Sequence, residues 1–178
     1  ITAVSKLKVG NPFDSTSDLG ALVSKPHLEK VRSYIDNAAQ YGGKVIFGGN
    51  SVSIHNFESG YYLEPTIIEV KDNSCVLNQV EIFGPVVTIM PFNNENEVLA
   101  MANDSSYGLS ATLWTNDLKK TMRISKQIHT GIVWVNTWLL RDLRTPFGGV
   151  KNSGVGREGG LEALRFFTEP KNMCIKYN

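Results

Sequence analysis

The sequence has only two cysteines, Cys75 and Cys174, among its 178 residues. They lie far apart and beside apolar neighbours, which favours two reduced thiols in a cytosolic setting over a disulfide framework. A single bridge between them is the lesser alternative. The three histidines, His27, His55 and His129, are isolated from one another and from the cysteines. The sequence therefore shows no metal-ligand spacing, and we expect no metal site.

The sequence also lacks a strong net charge and a long apolar run. Eighteen basic residues stand against seventeen acidic ones, for a net charge of +1. No basic cluster extends beyond Lys119 and Lys120, so there is no electrostatic footprint for nucleic acid. No apolar run approaches the roughly 18 residues that a membrane span needs. The composition, with 42% hydrophobic and 20% charged residues, is typical of a folded globular protein without nucleic acid or membrane partners.

Helical and extended patterns alternate along the chain. Apolar spacing with a helical period predicts helices over residues 25–41, 95–102, 117–128 and 161–167. Short apolar runs predict strands over residues 44–47, 61–70, 86–92, 109–114, 132–135 and 173–177. Strands that alternate with helices imply βαβ units with a parallel sheet. We therefore predict an α/β fold with three αβα layers and a mainly parallel sheet.

The last predicted strand, Met173 to Tyr177, follows Pro170 and ends the chain. A terminal apolar strand leaves its backbone donors and acceptors unpaired unless another strand covers them. We therefore expect this segment to pair across a subunit interface, and the protein to self-associate through it.

Gly154 to Gly159 spell the G-x-G-x-x-G pattern of dinucleotide-binding folds. That motif needs a preceding buried strand, a long following helix and an acidic residue about 20 positions on. Here the preceding stretch is Gly148 to Ser153, and the following helix is short. The same loop fails as a phosphate loop, because Val155 and Gly156 stand where Lys and Ser or Thr are required. We interpret these glycines as a source of backbone flexibility.

Glu81-Ile82-Phe83-Gly84-Pro85 is a more specific motif. An ionised carboxylate can accept hydrogen bonds from a vicinal diol such as a ribose, and an aromatic ring can stack on a flat ligand. The alternative is a solvated Glu81 and a core Phe83 at the entrance of a strand. These five residues alone favour neither interpretation.

Several further motifs make essentially the whole chain resemble the aldehyde dehydrogenase family. The stretches similar to family motifs are Lys8–Pro12, Gly20–Val23, Gly60–Thr66, Glu81–Pro85, Tyr107–Ala111 and Pro146–Gly154. Their order and spacing argue against chance. The resemblance implies that Glu81 binds the nicotinamide-side ribose of NAD, that Phe83 packs beside the nicotinamide, and that Phe147 lines the substrate tunnel.

Within this family, residues 136–149 look most like the dehydrogenases of 2-aminomuconic and 2-hydroxymuconic semialdehydes, whose substrates carry a carboxylate as well as an aldehyde. An arginine in a tunnel that other members line with apolar groups suits an anionic substrate, because a bidentate contact offsets the cost of burying both charges. We therefore predict that Arg141, or second to it Arg144, binds the carboxylate. The alternative for either is a surface arginine paired with Asp142.

The resemblance also implies what this sequence lacks. The covalent chemistry of the family requires a cysteine nucleophile and a glutamate general base, and the segments that carry them do not occur here. Cys75 and Cys174 match neither context, so we predict that they are packing residues and that the chain alone is inactive.

The first residues, from Ile1 onward, contain no initiator Met, signal peptide or transit pattern, so we expect a piece of a longer protein. Residues 1–160 would be the C-terminal part of the catalytic domain, and residues 161–178 a C-terminal helix and oligomerisation strand. The alternative is a non-catalytic, aldehyde-dehydrogenase-like oligomerisation or interaction module.

Overall fold

The computed structural model describes all 178 residues, which form two compact units, Ile1–Phe92 and Asn93–Asn178. The elements of the first unit are α1 (Lys25–Asp36), β1 (Gly43–Phe47), β2 (Ser51–Val52), β3 (Tyr62–Leu63), β4 (Thr66–Val70), α2 (Val76–Gln79) and β5 (Val86–Ile89). Its main sheet has the order β1-β4-β5, in which β5 pairs parallel and β1 antiparallel to the central strand. A separate pair, β2 and β3, is antiparallel.

Helix α1 begins where the sequence predicts and ends earlier. The Ser24 hydroxyl accepts the backbone N–H of His27 at 3.3 Å, and Pro26 occupies the first turn, where its missing N–H is not needed. The expected continuation to Tyr41 is wrong, because the residues after Asn37 form a series of turns that leads into Gly42 at φ +80°.

The core of the first unit lies between α1 and the main sheet. Val31 and Ile35, one helical turn apart, are buried on one face of α1. Ile68 and Val70 are fully buried on the central strand, which explains why that strand is an almost continuous apolar run. Burying each such side chain stabilises the fold by about 1.5–3 kcal/mol.

The second unit contains the elements α3 (Glu95–Asn103), β6 (Ser110–Leu113), α4 (Leu118–Ser125), β7 (Ile132–Val135) and α5 (Gly160–Phe167). Strands β6 and β7 are parallel and are connected through α4, so this βαβ prediction is confirmed. Asn94 caps α3 and Asp117 caps α4. The two helices are joined by a two-point ion pair between Arg123 and Glu95, with N–O distances of 2.5 and 2.7 Å.

The chain after α5 forms no helix or strand within this structure. The predicted strand at Met173–Tyr177 therefore has no partner inside the chain, and its pairing across a subunit interface stays a prediction. The α/β class is confirmed, with parallel pairs in both units and antiparallel strands at β1 and in the β2–β3 pair. No helix is both long and apolar enough to cross a membrane.

Candidate functional site

Glu81 lies in the loop between α2 and β5 in the first unit. Its side chain is exposed, and its carboxylate makes no hydrogen bond or ion pair within the chain. The next residue, Ile82, is buried in the core, which fixes the backbone of the loop beside it. Both oxygens of Glu81 are therefore available to accept hydrogen bonds from a ligand.

Phe83 presents its ring to solvent, with 72% of the residue exposed. The alternative that placed this ring in the core is therefore wrong. Its backbone lies in the left-handed region at φ +60°, a conformation that costs an ordinary residue about 1–2 kcal/mol. A residue in this conformation has to be held there by its surroundings.

His27 in the first turn of α1 supplies part of that restraint. Its Nε2 lies 2.6 Å from the carbonyl oxygen of Phe83. Because a carbonyl only accepts, this ring nitrogen carries the proton and donates. The two rings also meet edge to face, with centroids 6.1 Å apart at an interplanar angle of 68°. The sequence gives no sign of this contact, because the two residues are 56 positions apart.

Gly84 supplies the rest of the restraint by its close approach to α1. A Cβ on this residue would lie 2.8 and 2.9 Å from the two methyl carbons of Val31, which is fully buried. Any larger residue would therefore push the loop off the helix. Phe83 is thus flanked by a buried Ile82 and a tightly packed Gly84, and helix α1 is the platform for the whole motif.

Arg141 lies in the second unit, in the segment between β7 and the glycine-rich loop, which comprises residues 148–159. Its guanidinium carbon stands 4.1 Å from the centre of the Phe147 ring, a cation–π contact. One terminal nitrogen, Nη2, donates to Oε1 of Glu158. The structure thus brings together two residues that the sequence analysis singled out, Arg141 and Phe147, and adds Glu158, which that analysis treated only as a spacer in a glycine pattern.

Arg144 has a different environment. Its side chain is 89% exposed, and its Nε donates to Asp142 at 2.9 Å. The hydrogen bond from Arg144 lowers the pKa of Asp142, and the same bond raises the pKa of Arg144. The pairing with Asp142 that we considered for either arginine therefore occurs at Arg144, whereas Arg141 pairs with Glu158.

The glycine-rich loop uses the backbone freedom expected of its glycines, because Gly154, Gly156 and Gly159 have φ values of +147°, +72° and +88°, and it is also attached to the rest of the second unit. Lys151 donates from Nζ to the carbonyl oxygens of Asn103 and Ser105, each at 2.8 Å. A Cβ on Gly131 would lie 1.6 Å from the carbonyl oxygen of Gly148, so glycine is required by close backbone approach. These contacts hold the Pro146–Gly154 motif in place.

The two cysteines are both free, so the alternative of a bridge between them is wrong. Cys75 is partly buried at the start of α2 and packs against the core, as expected. Cys174 is exposed, and its interpretation as a packing residue is wrong within this chain, because the terminal segment has no neighbouring element to pack on. No group of three or more His, Cys, Asp or Glu side chains is arranged to hold a metal ion.

The E-x-F-G-P loop on helix α1 and the anchored P-F-G-G loop belong to a sequence that matches a known protein family. Residues 1–173 match the aldehyde dehydrogenase family, and the chain belongs to it. It is 45% identical over 99% of its length to 2-aminomuconic semialdehyde dehydrogenase of Bos taurus and spans 37% of that protein. It is also 45% identical over 96% of its length to 2-hydroxymuconic semialdehyde dehydrogenase of Pseudomonas putida, of which it spans 35%.

A solved structure agrees with these sequence relatives. The aldehyde dehydrogenase of Mycobacterium tuberculosis complexed with NAD⁺ superposes on 94% of the chain with a TM-score of 0.87 and 39% identity. The chain covers 34% of that structure. The relatives that it matches are thus close to three times as long as the chain, and the match confirms both the family and the α/β class.

Proposed function

We propose that this sequence forms the C-terminal part of an NAD-dependent aldehyde dehydrogenase that oxidises a carboxylate-bearing semialdehyde, such as 2-aminomuconic or 2-hydroxymuconic semialdehyde, to the acid. The observation that carries the proposal is the guanidinium of Arg141 on the ring of Phe147. Neither Cys75 nor Cys174 has a family context for a nucleophile, so the covalent step belongs to residues outside this sequence. Residues 161–178 would provide the oligomerisation segment of the complete enzyme.

The loop around Phe83 fits the nicotinamide end of NAD. Glu81 has a carboxylate without a protein partner, which suits the hydroxyl pair of a ribose. Phe83 offers an exposed ring held in one backbone conformation, which suits a flat nicotinamide. Bound NAD would supply the hydride acceptor of the reaction. The part of this chain is to orient the cofactor, and a rigid loop does so with little loss of freedom on binding.

Arg141 fits the carboxylate of a semialdehyde. Only one of its five N–H donors is engaged within the chain, by Glu158, so the others are available. A guanidinium holds a carboxylate at two points, which fixes both the distance and the direction of the aldehyde carbon from that anchor. Phe147, which is partly buried beneath the guanidinium, would form the adjoining apolar wall of the tunnel.

The proposal is tested by the substitution Arg141→Ala in the complete enzyme that carries this sequence. A hydrogen bond to a charged group contributes about 1.5–3 kcal/mol, so kcat/KM for the carboxylated semialdehyde should fall roughly ten- to hundredfold. For a neutral aldehyde of the same length it should change only about threefold, because that substrate makes no such contact. The ratio of the two efficiencies cancels any general damage to the enzyme.

Arg144→Ala is the matched control, because Arg144 is an arginine only three positions away whose partner is Asp142. We expect this variant to leave the ratio of efficiencies unchanged. A selective loss in Arg144→Ala and none in Arg141→Ala would transfer the role to Arg144. An unchanged ratio in both variants would refute an anionic substrate at this site.

A further inference from the structure

Arg141 is held by two contacts. Its guanidinium lies on the ring of Phe147 at 4.1 Å, and its Nη2 donates to one carboxylate oxygen of Glu158. The side chain keeps 34% of its surface exposed. A long arginine side chain with this much access to solvent normally samples many rotamers, so two restraints on a single guanidinium need an explanation.

The two restraining residues are themselves joined through their backbones. The N–H of Phe147 donates to the carbonyl of Glu158, and the N–H of Glu158 donates to the carbonyl of Phe147, both at 2.7 Å. This antiparallel bridge fixes the separation between the aromatic ring and the carboxylate. Arg141 therefore contacts an aromatic ring and a carboxylate whose separation is fixed by the backbone.

Glu158 has no other partner for its carboxylate. The neighbouring Arg157 directs its guanidinium to the carbonyl oxygens of Gly149 and Gly156, at 2.9 and 2.7 Å. The contact with Arg141 is thus the only ion pair that Glu158 makes in the structure. Because this contact engages only Nη2 of Arg141, both edges of the guanidinium keep free N–H donors.

We propose that Glu158 is a positioning residue that orients Arg141 for the substrate carboxylate, with Phe147 as the second restraint. This inference rests on the proposed function, because it assumes that Arg141 binds an anionic group. Glu158 restricts the rotamers of the arginine before the substrate arrives, so less freedom is lost on binding. Its negative charge also opposes the approach of a second carboxylate, and the substitution Glu158→Gln separates this effect from positioning, because it removes the charge and keeps an acceptor oxygen.

The test uses two substitutions at the same position in the complete enzyme. Glu158→Ala removes the acceptor oxygen, whereas Glu158→Gln keeps an acceptor oxygen at nearly the same place without the charge. We expect Glu158→Ala to lower kcat/KM for a carboxylated semialdehyde, relative to a neutral aldehyde of the same length, by about tenfold and mainly through KM. Glu158→Gln should keep this ratio within about threefold of the wild-type value.

Two controls separate positioning from general effects. Glu162→Ala removes a carboxylate four positions further on, whose partner is Arg165 at 3.1 Å, and should leave the ratio unchanged. In an Arg141→Ala background, Glu158→Ala should have no further effect on the ratio, because two residues that act through one contact are not additive.

Each contrary result overturns the inference in a recognisable way. An equal loss of kcat/KM for both substrates in Glu158→Ala would show that Glu158 has only a structural role. A rise in the ratio of carboxylated to neutral substrate in both Glu158→Ala and Glu158→Gln would show that Glu158 competes with the substrate carboxylate for Arg141. A Glu158→Gln variant as impaired as Glu158→Ala would refute positioning through the acceptor oxygen, because the glutamine keeps that oxygen. If Arg141→Ala lowers the ratio and Glu158→Ala does not, this inference fails while the proposed function stands. If Arg141→Ala leaves the ratio unchanged, this inference fails as well, and the ratio in Arg144→Ala then decides whether the proposed function stands.

Discussion

His27 provides the sharpest prediction for the cofactor side of the protein. The substitution His27→Ala removes the hydrogen bond from Nε2 to the carbonyl of Phe83, a contact of 2.6 Å, together with the edge-to-face ring contact. The hydrogen bond contributes about 0.5–1.5 kcal/mol, and the ring pair a similar amount. Together these roughly equal the 1–2 kcal/mol that the left-handed backbone of Phe83 costs.

Without His27 the left-handed conformation of Phe83 should therefore no longer be much more populated than an extended conformation. If only the observed conformation binds NAD, the apparent Kd rises in inverse proportion to its population. A population between about one half and one tenth gives a roughly two- to tenfold weaker affinity. Fluorescence titration of NAD into the complete enzyme measures this directly.

The matched variants are His27→Gln and His55→Ala. A glutamine can still donate an N–H to the carbonyl of Phe83 and should recover part of the affinity. His55 is an exposed histidine of the same unit whose side chain is 92% accessible, so its loss should have no effect. Wild-type NAD affinity in His27→Ala would refute the idea that this contact holds the loop.

Three further predictions concern other parts of the chain. Replacing Glu81 by Gln in the complete enzyme keeps the shape of the side chain and weakens its charge-assisted contact with the ribose hydroxyls, so NAD affinity or single-turnover hydride transfer should fall. Wild-type values for both would show that Glu81 is only a solvated residue. The isolated chain should self-associate in sedimentation experiments at high micromolar concentration, and deleting 173–177 should weaken the association, whereas a strictly monomeric chain would contradict a pairing segment. The hydrogen bond from Arg123 lowers the pKa of Glu95 in the folded protein. The pair therefore stabilises the protein at pH values above the ordinary pKa of a glutamate, and this contribution is lost as the pH falls through the lower pKa of the folded state. Thermal unfolding across that acid range should show a shallower loss of stability for Arg123→Ala than for the wild type, and parallel curves would contradict the linkage.

Regular elements with clear local patterns could be predicted from the sequence. Strand β7 occupies 132–135 as expected, and α3 ends one residue beyond its predicted bound. The end of α1 could not be predicted from periodicity, because Ala38 and Tyr41 continue the apolar spacing while the backbone already turns. A buried side chain can thus continue the helical spacing of apolar residues without belonging to the helix.

The partners of the candidate site residues depended on contacts that are remote in sequence. Arg141 could be chosen from its motif, but its pairing with Glu158, 17 residues away, requires the backbone bridge between two loop segments. His27 reaches Phe83 only because α1 packs under the loop. The close backbone approach at Gly148 could not be predicted, because a glycine required for close approach and one required for its backbone freedom are identical in a sequence.

The attachment of Lys151 makes its side chain a reporter of local order. Its amine donates to two carbonyl oxygens, whereas the amine of Lys119, on α4, is exposed and makes no hydrogen bond. An acylating reagent needs an accessible nitrogen lone pair. Because the amine of Lys151 is held by two hydrogen bonds, it should be modified more slowly than that of Lys119 as long as the glycine-rich loop keeps its folded position. Opening of that loop would remove the difference in rate, so mass spectrometry of the labelled lysines would follow its local opening without any substitution.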